Sequence, residues 1–83
     1  LAAPSEKINL ASKHSILDRL RLLSGREREI MFLVSSGLTN KEIAYRLSIS
    51  IRTVEIHRAR MMSKMDFQNV ADLVRTADSL FEY

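Results

Sequence analysis

The sequence predicts an all-α fold: a four-helix domain built around a helix-turn-helix and preceded by an N-terminal linker helix. Three observations predict it. Apolar residues recur at three- and four-residue spacing in successive stretches of the 83-residue chain, which is the period of one helix face. Ser24, Thr39, Ser50 and Asn69 stand immediately before four of those stretches, where a short polar side chain caps a helix start. The segments between the stretches are short, and Ser48-Ile49-Ser50 leaves room only for a turn.

Leu1 to about Asn9 contains Pro4 and few core cues, and reads as a tail or the remnant of a linker. Leu10 to Leu23 is expected to be helical, with Ile16, Leu17, Leu20 and Leu23 on one side. These first 23 residues form an interdomain linker in this reading, and residues 24–83 form the domain. Ser24 and Glu27 make a capping box that opens a helix running from Gly25 to about Ser36. Ile30, Met31, Leu33 and Val34 supply its core face, Phe32 falls on the far side, and Gly37 stops it. Thr39 and Glu42 form a second capping box, followed by a short helix through Leu47 with Ile43, Ala44 and Leu47 inward. Ser50 starts the next helix, and the small Ala44 lets the two helices cross closely. After Met65 a brief connection leads to a final helix capped by Asn69. Its face carries Val70, Leu73, Val74 and Ala77, extended by Leu80 and Phe81.

Composition narrows the possible functions. The chain has no Cys, so it holds neither a disulfide framework nor a thiolate nucleophile or metal ligand. Its two His residues, His14 and His57, belong to no cluster with ligand spacing, and Glu27 and Glu29 are two apart, so they do not face each other. Nothing points to an enzyme, a metal or a cofactor. No apolar run approaches a membrane span, and LAAPSEK is not a signal peptide. The absence of an initiating Met suggests a piece of a longer protein.

Charge is uneven. Net charge is +3, yet Thr39 to Met65 holds six Lys and Arg against Glu42 and Glu55, a local balance of +4. Positive charge gathered on the helix pair is the footprint of a phosphate-backbone partner. A solvated basic face is the plain alternative, and one residue argues against it. At 100° per residue, Val54, Arg58, Met61 and Met65 form the core side of the second helix, with His57 and Met62 flanking. Arg52, Glu55, Ile56, Ala59, Arg60 and Ser63 form the other side. An aliphatic residue at the centre of that outer face has a use in reading DNA, where apolar side chains meet the thymine methyl group.

LSGREREIMFLVSSGLTNKEIAYRLSISIRTVEIHRARMMSKM resembles the C-terminal helix-turn-helix DNA-binding domain of LuxR/FixJ-type bacterial response regulators. REREI, GLTNKEIA, ISIRTVEIHR and Lys64 match the family pattern in order and spacing, over roughly Ile16 to Ala77. Two positions depart: Asp66 stands where the family usually has Gly, and Val70 where its last helix usually begins with a polar residue.

The resemblance implies sequence-specific binding of double-stranded DNA, as the output domain of a transcription regulator in the bacterial cytoplasm. It places Glu55, Ile56 and Ala59 at base edges, with Arg52 and Arg60 beside them. Glu55 either accepts from a cytosine amino group or pairs with a neighbouring Arg. Lys41, Thr53, His57 and Lys64 are placed for phosphates, as are Thr39 and Asn40 at the start of the first helix of the pair. Val70, Val74 and Ala77 on the last helix imply a weak contact with a second copy on DNA. The implied partners also include an absent N-terminal receiver domain and, possible through the same role, RNA polymerase. Two other readings remain open: a helical protein-interaction module using Ile56 and Phe32, and a sigma-factor-like promoter-binding domain.

Overall fold

The computed structural model describes residues 10–80, with side chains from Ser15 onward. Five helices lie among them: α1 (Leu10–Leu20), α2 (Gly25–Ser35), α3 (Asn40–Leu47), α4 (Ile51–Lys64) and α5 (Val70–Leu80), with no strand among the described residues. The expected tail before Leu10 and the place of Phe81 lie outside the described residues.

The starts follow the chemistry expected of them. Ser24 Oγ accepts from the Glu27 amide at 3.1 Å, and the Ser24 amide donates to Glu27 Oε1 at 2.9 Å. Thr39 and Glu42 repeat the box at 3.1 and 2.8 Å. Ser50 Oγ accepts from the Thr53 amide at 3.0 Å, and Asn69 Oδ1 accepts from the Asp72 amide at 2.9 Å. Orphan amides at four helix starts are thereby satisfied within one turn.

Three helix ends share one closure. After α2 the Leu38 amide reaches back to Leu33 O at 3.1 Å, while Gly37 donates to Val34 O. After α3 Ile49 donates to Ala44 O at 3.0 Å, and after α4 Phe67 donates to Met62 O at 2.9 Å. Each is a six-to-one bond across a left-handed residue. Each following residue (Leu38, Ile49 or Phe67) packs on the core. The left-handed positions are Gly37 at φ 93°, Ser48 at 58° and Asp66 at 59°. Asp66 therefore keeps the backbone conformation that favours Gly. Replacing it with Gly should raise stability by about 0.5–1 kcal/mol, since an L residue loses energy there that exceeds the entropy Gly loses on folding. Denaturant midpoints of Asp66→Gly and the parent check this, and an unchanged or lower midpoint refutes it.

α2 packs against α3, α4 and α5, and α3 against α4. Ile30, Ile43, Val54, Met61 and Leu73 are fully buried, so four helices meet in one core. Each such side chain contributes about 1.5–3 kcal/mol. α4 buries only Val54 and Met61 along its length, with Met65 at its end, which leaves its other side free.

α1 ends at Leu20, three residues earlier than the apolar spacing suggests. Leu22 and Leu23 donate to Arg19 O and Leu20 O in tight turns, because Ser24 must arrive extended to cap α2. Leu23 drops into the core, Ile16 and Leu20 pack at its edge, and Leu17 stays exposed. Arg19 Nη1 donates to Lys64 O at 3.4 Å and Arg28 Nε to Leu20 O at 3.3 Å, tying α1 to the ends of α4 and α2.

Candidate nucleic-acid interface

The outer face of α4 is free along its full length. Arg52, Glu55, Ile56, Ala59, Arg60 and Ser63 are all exposed, in the phase the sequence predicts. Ile56 keeps 37% of its surface exposed at the centre of that face. Arg52 Nη1 stands 3.4 Å from Glu55 Oε1, one turn along the helix, so the free protein realises the Arg pairing for Glu55. Both side chains are too exposed for that pair to add much stability.

The start of α3 forms the second part of the surface. Lys41 is exposed, with no carboxylate partner among the described residues. Thr39 Oγ1 is occupied as the cap acceptor. The Glu42 carboxyl is held below its ordinary range by the Thr39 amide and hydroxyl, against a small burial penalty. Asn40 is half-buried, and its Oδ1 accepts from Arg58 Nη1 at 2.7 Å. Arg58, on the core side of α4, thus spends its head on a contact with the preceding helix.

Two side chains on α4 are only partly available. Thr53 Oγ1 lies 2.8 Å from Ser50 Oγ at the helix start. His57 is half-buried, and its Nδ1 is buried without a hydrogen-bond partner, so Nε2 is the ring atom left to meet a ligand.

Two of the expected site residues are engaged within the domain. Lys64, expected at a phosphate, instead places Nζ 2.9 Å from Oε1 of Glu27. Glu27 is buried, its side chain 4% exposed against 38% for Lys64. Its carboxyl is held below the usual range by the Lys64 hydrogen bond first and the Ser24 amide second, which outweigh burial. A buried carboxylate demands a cation, and among the described residues Lys64 is the one that pairs with it. Ala77, expected at a contact with a second copy, is 6% exposed and belongs to the core. Its turn of α5 faces inward with Leu73, whereas Val70 is exposed and Val74 half-buried.

The chain matches the family described as bacterial regulatory proteins, luxR family, over residues 21–77. The chain belongs to that family. It is a LuxR-type helix-turn-helix DNA-binding domain. Among its relatives, the luxR-family domain is 52% identical over 64 residues to the transcriptional regulatory protein FixJ of Rhizobium meliloti. That match covers 77% of this chain and 31% of the relative. It is 45% identical over 58 residues to the tetrathionate response regulatory protein TtrR of Salmonella typhimurium, covering 70% and 28%. The crystal structure of full-length FixJ from B. japonicum superposes with a TM-score of 0.73 at 39% identity, over 86% of this chain and 37% of that one. The chain thus spans about a third of the length of these relatives. No helix among the described residues is long and apolar enough to cross a membrane, and no group of metal-ligating side chains gathers among them.

Proposed function

We propose that the luxR-family domain binds double-stranded DNA sequence-specifically, as the output domain of a two-component response regulator in the bacterial cytoplasm. The observation that carries this reading is the free face of α4, cationic at Arg52 and Arg60 and apolar at Ile56. Ile56, Ala59 and Glu55 read base edges in the major groove, Arg52 and Arg60 flank them, and Glu55 releases Arg52 when a cytosine amino group is offered. Thr39, Asn40 and Lys41 at the start of α3 hold phosphates, with Thr53 and His57 on the flank of α4. One recognition helix covers few base pairs, so two copies bind adjacent half-sites of a near-palindromic operator. With Ala77 in the core, the surface left for that pairing is the edge at Val70 and Val74, small enough for a monomer in dilute solution.

Residues 1–23 serve in this reading as an interdomain linker to a receiver domain, and 24–83 as the binding domain. Leu23 then anchors the linker in the core. Contact with RNA polymerase would follow from the same role on a promoter.

Titration of a labelled duplex across a salt series tests the reading. Binding should weaken steeply as salt rises, whereas an apolar contact with a protein would not. Lys41→Ala should weaken binding to every duplex alike and make the log–log salt slope shallower by about one unit. An unchanged slope with lost discrimination between operator and random DNA would move Lys41 to the reading face. Salt-independent binding, or none, would sink the DNA reading.

A further inference from the structure

Among the described residues, one side-chain hydrogen bond joins α4 to α3, from Arg58 Nη1 to Asn40 Oδ1 at 2.7 Å. Its chemistry fixes more than a distance. A guanidinium can only donate, so the Asn40 atom facing it must be the carbonyl oxygen. The amide cannot be flipped without placing two donors against each other. Asn40 Nδ2 makes no hydrogen bond with any described residue and is not among the buried, unpartnered atoms. Nδ2 therefore keeps some contact with solvent at the first position of α3, next to Lys41.

A phosphate oxygen only accepts. The orientation that Arg58 imposes presents it with donors, and the opposite flip would present it with an oxygen. Arg58 also lacks a carboxylate within ion-pair distance among the described residues. Its charge stays uncompensated beside the α3 start, which carries the positive end of that helix dipole.

We propose that Arg58 is a positioning residue for DNA-backbone binding: it holds the Asn40 amide with its NH₂ group toward a phosphate and adds charge behind it. This rests on the DNA-binding reading above. Arg58 thereby links the recognition helix to the anchor on α3, so that the reading face and the phosphate grip keep one register.

The test is a double-mutant cycle on a labelled mixed-sequence duplex at fixed salt, with thermal melting of every variant. Arg58→Met removes the donor and the charge while keeping an apolar stem, and Arg58→Gln keeps a neutral donor. Arg58→Met should weaken binding about five- to tenfold, as expected for one charge-assisted contact. In an Asn40→Ala background the same change should lose most of its effect. Arg58→Gln should bind better than Arg58→Met. Additive effects of Arg58→Met and Asn40→Ala would overturn the proposal, as would equal losses for Met and Gln, which would leave only bulk charge. If Arg58→Met does not fold, the cycle is run with Arg58→Gln, where additivity again overturns it. Failure of the parent domain to bind any duplex would instead defeat the DNA-binding reading itself.

Discussion

Lys64→Met should lower the stability of the domain by roughly 2 kcal/mol at neutral pH, more than its half-exposed position suggests. Removing one partner of a buried ion pair costs about 3–5 kcal/mol, because the other charge is left without compensation. Here the figure is reduced on two counts. Lys64 keeps 38% of its side-chain surface, so solvent already screens the pair, and Glu27 retains the Ser24 amide at 2.9 Å. For a domain of this size the loss corresponds to a fall in Tm of about 10 °C. Glu27→Gln should cost less, about 1 kcal/mol, since Lys64 is free to swing into water while the amide still caps α2.

The pH dependence separates this from lost packing. Glu27 has a depressed carboxyl pKa in the folded parent, so its contribution is fully present above the unfolded value near 4.5. That contribution disappears as pH falls through the folded value, below 4.5. In Lys64→Met the main cause of the depression is gone, and the Ser24 amide is left to work against burial. The gap between parent and variant should therefore be widest at neutral pH and close as Glu27 protonates on acidification. A gap that stays constant as pH falls from 7 through the folded value of Glu27, below 4.5, would show that only the packing of the stem was lost.

This pair also marks where reading from sequence stops. Glu27 is legible as a cap partner, because a capping box is written in four consecutive residues. Its burial, and the capture of Lys64 from 37 positions away, is not, since no local pattern encodes a contact between helix ends so far apart. The α4 faces were legible because Val54 and Met61 sit seven apart and fix the helix phase. α5 was harder. Val70, Leu73, Val74 and Ala77 form one stripe on the helix wheel, and only packing against α2 decides that Leu73 and Ala77 turn inward while Val70 does not. The left-handed ends at Ser48 and Asp66 lack the Gly that would announce them. Their signal is the apolar residue that follows each, Ile49 or Phe67, which the core needs and which only that backbone turn delivers.

The outer face of α4 carries the largest expected effect on binding. Ile56 is 37% exposed on α4, two residues from Val54, which is fully buried on the opposite side. It is not among the side chains packed on the core, so Ile56→Ala and Ile56→Glu should both melt within about 0.5 kcal/mol of the parent. On the selected operator, Ile56→Ala should lose about 1 kcal/mol, the scale of a missing apolar contact with a thymine methyl, while affinity for random duplex stays put. Ile56→Glu should lose far more, on the order of a hundredfold. It forfeits the same contact and drives an unpaired carboxylate into a groove lined by phosphates. Arg52 cannot neutralise the new charge without leaving Glu55, which it already approaches at 3.4 Å. Random duplex should weaken as well in this variant, because repulsion from the backbone does not depend on sequence. Fluorescence anisotropy on both duplexes, alongside melting curves, checks these outcomes. If Ile56→Glu binds like the parent, the outer face of α4 does not enter the groove. If either variant instead melts far below the parent, Ile56 is a packing residue and the assignment of the two faces is wrong.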